Sequence, residues 1–223
     1  MNPKHNITEL IFLLAILLVP VIYLAAVYPS LPAIVPTHFD IQGRPDNYSA
    51  KKTLCFVVLL VSGLGAAIYL LLRNLPAIDP KRNAKRSAGS FARIALAIAV
   101  FLSAINIILI YSALQGSFHF DSLFFSLLGL FFAYVGNLMH SIKPNYFVGI
   151  RVPWTLENED NWRATHQLGS KIFFAGGILI AITGLLFPFR VSIIIMFVTI
   201  GLMVLIPVIY SFRYFKRHTP KKS

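Results

Sequence analysis

The chain has 223 residues, of which 57% are hydrophobic and only 13% charged, with a mean hydropathy of +0.73 and a formal net charge of +12. That balance excludes an ordinary soluble domain, and the single cysteine, Cys55, excludes an intramolecular disulfide and any multi-cysteine zinc site. The basic residues cluster beside apolar runs, so the charge points to anionic lipid headgroups and membrane topology, not to direct contact with nucleic acid.

Six apolar runs come close to the roughly 20 residues that a membrane-spanning helix needs: 9–28, 53–72, 94–114, 122–139, 172–187 and 191–212. They predict an all-α membrane protein, a bundle of about six transmembrane helices. The first run is long for a signal-peptide core. It is followed by Tyr28-Pro29-Ser30-Leu31-Pro32 rather than a small-residue cleavage pattern, which predicts a retained span. Alternate loops carry 16 Lys and Arg on one side and 4 on the other. This asymmetry predicts cytoplasmic N- and C-termini, with the basic loop 73–93 and the insertion 140–171 on the same side. The organisation expected is a two-helix unit over 1–72 with an extracellular loop at 29–52, the loop 73–93, and a four-helix unit over 94–223.

The first loop is rich in proline, and Ile34-Val35 before Pro36, with Gly43-Arg44-Pro45-Asp46 as a turn, suits a small, ordered extended hairpin. His38 and Asp40 could ligate a metal, but no third ligand stands at a recognisable spacing, so hydrogen bonds that hold the loop are the plainer role. No metal or cofactor is expected. The loop 73–93 is either a docking surface for an acidic partner or a headgroup anchor, and anchoring explains it more simply. Asn106 and Asn137 fall within spans and should find partners in the bundle. Apart from Glu9 at one edge, no Asp, Glu, Lys or Arg lies within a run, which argues against a proton-coupled pump. Gly177 and Ala181, four apart, allow close helix approach, either inside the bundle or across a homodimer seam. Pro20 and Pro207 are candidate kinks.

The longest polar insertion follows the fourth run and holds both tryptophans, Trp154 and Trp162, with His140 and His166. Lys143-Pro144-Asn145 ends any helix, and Arg151 is followed by Pro153-Trp154. Arg151 must find an anion near the membrane surface, lipid phosphate or one of Glu157, Glu159 and Asp160. Trp154 is expected at the interface with its N–H toward water. Thr155 can cap a helix whose first turn holds Glu157, Glu159 and Asp160. Glu159 and Arg163 are placed to pair, and Trp162 and His166 share a face. Two readings stand: a helix lying on the membrane surface that leads into the fifth span, or one pocket lined by Arg151, Trp154, Trp162 and His166. No catalytic or phosphate-binding motif is present, and no catalytic residue is assigned.

The pattern Gly136-Asn137, Pro144-Asn145, Gly149-Ile150-Arg151-x-Pro153-Trp154-Thr155-Leu156, Trp162 and Thr165-His166 with Gly169 resembles the bacterial SdpI family. Pro36-x-His38-Phe39-Asp40 with Gly43, Pro45-Asp46 and Lys51 resembles a short uncharacterised domain found at the start of such proteins. The resemblance implies a multi-pass protein of the bacterial plasma membrane. It further implies immunity to a secreted toxic peptide, with sequestration of a cytoplasmic DNA-binding repressor. Ligand or partner contacts are then expected at His38, Phe39, Asp40, Asn145, Arg151, Trp154, Trp162 and His166. Gly43, Asn137, Pro144, Gly149, Pro153 and Thr155 are expected to shape the motif. A small transporter or exporter and an intramembrane enzyme are the alternative readings.

Overall fold

The computed structural model describes residues 7–40, 45–78, 83–115 and 120–218. Helix α1 (Ile7–Val27) leads through a 3-10 turn at Tyr28–Ser30 into strands β1 (Ile34–Phe39) and β2 (Pro45–Ala50), and then α2 (Lys51–Ile78). A second 3-10 turn, Asn83–Ser87, precedes α3 (Ala88–Gln115) and α4 (Phe120–Met139). The insertion contains the single-turn helix α5 (Pro153–Leu156). Helices α6 (Glu159–Leu186) and α7 (Phe189–His218) complete the chain. Among the described residues, six helices are long and apolar enough to cross a membrane. Much of their apolar surface faces outward: Leu60 is 58% exposed and Leu185 and Phe197 are each 65% exposed, a burden in water and a lipid-facing surface in a bilayer.

The helices form two halves. In one, α3 packs on α1 and α2; in the other, α6 packs on α4 and α7. Polar side chains tie the first half together. Asn106 Nδ2 donates to Val58 O at 3.2 Å and to Ser62 Oγ at 3.1 Å, and Ser103 donates to Ile16 O at 2.9 Å. Near the start of α1, Glu9 takes Tyr69 Oη–H at 2.8 Å and the Arg73 guanidinium at 3.0 Å, so the carboxylate enters the bundle paired. The second half is held by a seam of small residues. A methyl group on Gly129 would stand 2.4 Å from Ala181 N, and one on Gly177 would stand 2.4 Å from Ala133 N. Gly177 and Ala181 are therefore used inside the bundle, against α4.

The first loop is the expected hairpin. β1 and β2 pair antiparallel, Ile34 opposite Ala50 and Val35 opposite Ser49, and Gly43 lies outside the described residues. Val35 and Leu31 are buried against Leu24, Leu54, Val58 and Ile110, which seats the hairpin on the first half. Lys51 fixes its base: Nζ donates to Tyr28 O at 3.1 Å and lies 4.5 Å from the Tyr28 ring centroid.

Several boundaries differ from the sequence expectation. α2 runs past Pro76 to Ile78 and α3 begins at Ala88, so Arg73 and Arg93 belong to helices rather than to a loop. Helices α1 and α7 continue through Pro20 and Pro207. α6 is one continuous helix from Glu159, not a surface helix followed by a span. At 28 residues it is about 42 Å long, longer than the roughly 30 Å apolar core of a bilayer. Gly169 is tolerated inside it because Met139 and Ile150 close in: a methyl there would stand 3.0 Å from Met139 Cε and 3.1 Å from Ile150 Cδ1. Asn137 does not point into the bundle; it is exposed on α4.

Candidate functional site

The insertion folds around Asn145. Pro144 keeps the chain out of a helix, and Asn145 replaces the missing helical bonds with its own side chain. Its Oδ1 accepts the N–H groups of Phe147 and Val148, both at 2.8 Å, and its Nδ2 donates to Lys143 O at 2.9 Å and Val148 O at 3.0 Å. All the amide's strong positions are filled by the loop's own backbone, and the side chain is buried.

The loop closes over two side chains of α6. Trp162 and His166, one turn apart, stack with ring centroids 4.1 Å apart and planes 18° apart. Trp162 Nε1–H donates to Ile142 O at 2.8 Å, and His166 Nε2 accepts the Ile150 N–H at 3.1 Å. His166 Nδ1 lies 2.8 Å from Trp162 O. A carbonyl can only accept and an amide N–H can only donate, so these partners define the neutral imidazole with its proton on Nδ1. Gly149 passes directly over the stack with φ of +123°, a backbone conformation that favours glycine.

A second joint lies on the other side of the insertion. Thr155 Oγ1 accepts the Val152 N–H at 3.1 Å and stands 2.8 Å from Ile150 O, which closes the turn begun by Pro153. Trp154 Nε1–H donates to Ser211 Oγ at 2.8 Å, and its ring packs on Phe212 and Phe215 of α7. Asn161 Nδ2 donates to Ser211 O at 3.0 Å, and Thr165 donates to Asn161 Oδ1 at 3.0 Å. The N-cap of α6 is Asn158, whose Oδ1 accepts the Asn161 N–H at 2.8 Å.

The four residues expected to share one pocket are thus distributed. Trp162 and His166 sit together under the loop. Trp154 turns to α7, with its indole N–H on protein rather than water. Arg151 is exposed, and its guanidinium donates to the carbonyl of Tyr146, not to a carboxylate. Two of the three candidate acids are committed elsewhere: Glu159 to Arg86 at 2.9 Å across the bundle, and Asp160 to Arg163. The expected Glu159–Arg163 pair is not made: Glu159 pairs with Arg86, from the turn before α3, and Arg163 with Asp160. Thr155 and Glu157 belong to the α5 turn rather than to the start of α6.

The insertion also bridges the two halves. Lys143 N–H donates to Ser87 Oγ at 2.8 Å, and Ser90 Oγ lies 3.0 Å from Ser141 Oγ. Phe147 and Val148 pack on Leu75 and Phe91. Outside this contact, His140, Lys143, Pro144, Gln167 and the Trp162 edge line a groove of about 520 Å³ with the Glu159, Asp160 and Arg163 side chains. In sequence, Gln167 carried no pattern of its own, and Lys143 stood out only within the helix-ending Lys143-Pro144-Asn145. At the other end of the bundle, His38 Nδ1 lies 2.6 Å from Asp46 Oδ1, an exposed pair across the hairpin. Phe39 lies at the end of β1 and Asp40 just beyond it. No group of three or more His, Cys, Asp or Glu that could hold a metal occurs among the described residues.

Residues 141–211 match the model of the SdpI/YfhL protein family, and residues 15–62 match a domain of unknown function, DUF1648. That first match takes in nearly all of the insertion, the whole of α6 and most of α7. The chain is also 26% identical to "Immunity protein SdpI" of Bacillus subtilis over 96% of its own length and 97% of that protein's. No solved structure matches it significantly. The SdpI-family segment begins at Ser141, where the loop meets Ser90, and ends at Ser211, the acceptor of Trp154. It therefore spans both joints described above. The DUF1648 segment spans most of α1, the hairpin and the first part of α2. Both family segments sit in a multi-pass membrane protein.

Proposed function

We propose that this chain is an immunity protein of the bacterial plasma membrane, with the hairpin outside and the insertion in the cytoplasm. Its similarity to an immunity protein along almost the whole of both chains carries this reading. The hairpin, with His38, Phe39 and Asp40, meets a secreted toxic peptide. The insertion answers it on the other side, where the groove beside Trp162 and the exposed Arg151 receive a cytoplasmic partner, a DNA-binding repressor. Helices α2 and α3 supply the link, since each touches the hairpin core at one end through Val58 and Ile110 and the insertion at the other through Leu75 and Phe91. Asn145 and His166 position the insertion rather than touch the partner, because their hydrogen-bonding atoms are spent inside it, and Trp162 offers the groove only its ring edge. No step of this reading requires catalysis or a cofactor.

The test is survival. A Bacillus subtilis strain deleted for its own SdpI, expressing this chain, is challenged with culture supernatant from the toxin-producing parent. Protection is expected, and its loss is expected for His38→Ala at unchanged membrane abundance. The exposed His38–Asp46 pair contributes little to folding, on the order of 0–1 kcal/mol. Failure of the wild-type chain to protect at matched abundance overturns the immunity reading for this toxin. An active His38→Ala protein removes the hairpin from ligand contact.

A further inference from the structure

The two halves meet along α3 and α4, and the seam is not filled. Between Phe101 and Phe131, which stack at 4.7 Å, and the insertion end of the bundle lies a groove of about 300 Å³ open to the membrane. Leu96, Ala97, Val100, Leu127 and Leu130 make its walls. At one end stand Arg93 and Tyr134. Each lies five residues from the insertion end of its helix, about 7.5 Å inside it. The groove then runs from Arg93 to Phe101, roughly 12 Å along the axis. That is within one leaflet of an apolar core about 30 Å thick. Among the described residues Arg93 has no carboxylate partner, whereas Arg73, Arg86 and Arg163 each have one.

We infer that this groove is a binding site for one anionic phospholipid, its phosphate on Arg93 and Tyr134 and an acyl chain between α3 and α4. The slot is polar at one end only and one leaflet deep, which fits a lipid and does not fit a membrane-crossing peptide helix. An exposed guanidinium at headgroup depth, without a carboxylate partner among the described residues, supplies the charge complementarity. The bound lipid completes the packing between the two halves, next to the point where the insertion bridges them.

The full-length protein in mild detergent is offered phosphatidylglycerol or phosphatidylcholine, and retention is read by native mass spectrometry. Phosphatidylglycerol should be retained about fivefold better, the worth of one basic residue at an anionic surface. Arg93→Gln should abolish that preference, and Arg93→Lys should keep most of it. Excess inorganic phosphate should leave retention unchanged; displacement by it would mean a phosphate site rather than a lipid site. A phosphatidylglycerol carrying a photoreactive acyl chain should label wild-type protein within 93–101 and 127–134, a readout that needs no variant to fold. Equal retention of both lipids by the wild type, a preference that survives Arg93→Gln, or labelling elsewhere overturns the proposal.

Discussion

Gly149 and His166 fit against each other so closely that a methyl group on Gly149 would stand 2.4 Å from His166 Nε2. The same glycine has φ of +123°, so side-chain size and backbone conformation both select it. Gly149→Ala should cost about 1–3 kcal/mol from the backbone alone, and more from displacing the imidazole that holds the Ile150 N–H. A lowered midpoint of thermal unfolding in detergent is the expected result. His166→Ala removes the obstructing ring, so the double variant should be less destabilised than the sum of the two single ones. Strict additivity would show that the contact carries no energy.

The seam between α4 and α6 predicts a steeper response. At Gly177 the nearest atoms to an added methyl are the backbone of Ala133 and the carbonyl oxygen of Gly129. Backbone cannot turn aside as a side chain can, so the helices must separate. Gly177→Ala should cost on the order of 1–3 kcal/mol and Gly177→Leu should abolish folded protein in the membrane. Gly63 and Gly201 have nothing within 4 Å of an added methyl, and alanine there should be neutral. Equal effects at Gly177 and Gly201, read as monodisperse yield, would contradict the seam.

The six spans were legible because hydropathy over about 20 residues is a strong signal, and the hairpin because proline and glycine punctuate it. Boundaries were harder. Gly169-Ser170-Lys171 resembles a break, yet α6 runs through it, because the glycine serves Met139 and Ile150 rather than a turn. The joint at Ser211 was hidden for a different reason. Ser211 lies 50 residues from Asn161, inside an apolar run where one serine carries no periodic signal. Trp162 and His166 were legible as a pair from their spacing; that the loop 142–150 closes over them depends on Asn145, whose role is tertiary.

Arg151 separates positioning from recognition. Its guanidinium is exposed and donates to the Tyr146 carbonyl, a bond that a lysine ammonium can also make. Arg151→Lys should change unfolding stability by no more than about 0.5 kcal/mol, as for most surface changes. Under the proposed function it should still reduce partner recruitment to the membrane, because lysine lacks the planar fork that pairs with a carboxylate or phosphate. Recruitment is measured by membrane fractionation with expression matched. Full recruitment by Arg151→Lys would assign the residue to the loop alone.

Sidedness can be tested on the intact cell. Hydrogen bonds place Glu9 with Arg73, Arg86 with Glu159 and Trp154 with Ser211 at one end, while the hairpin packs at the other. The helices thus alternate in direction, and only the absolute orientation is left to the charge rule, with 16 Lys and Arg on one side against 4 on the other. On a Cys55→Ser background, Tyr48→Cys on the hairpin should react with a membrane-impermeant maleimide added outside. Lys85→Cys and Glu157→Cys, both at exposed positions, should react only after the membrane is opened. Labelling of Glu157→Cys in sealed cells would invert the molecule, placing the insertion where the toxin is and the hairpin in the cytoplasm. The division of roles between the two ends would then fall with it.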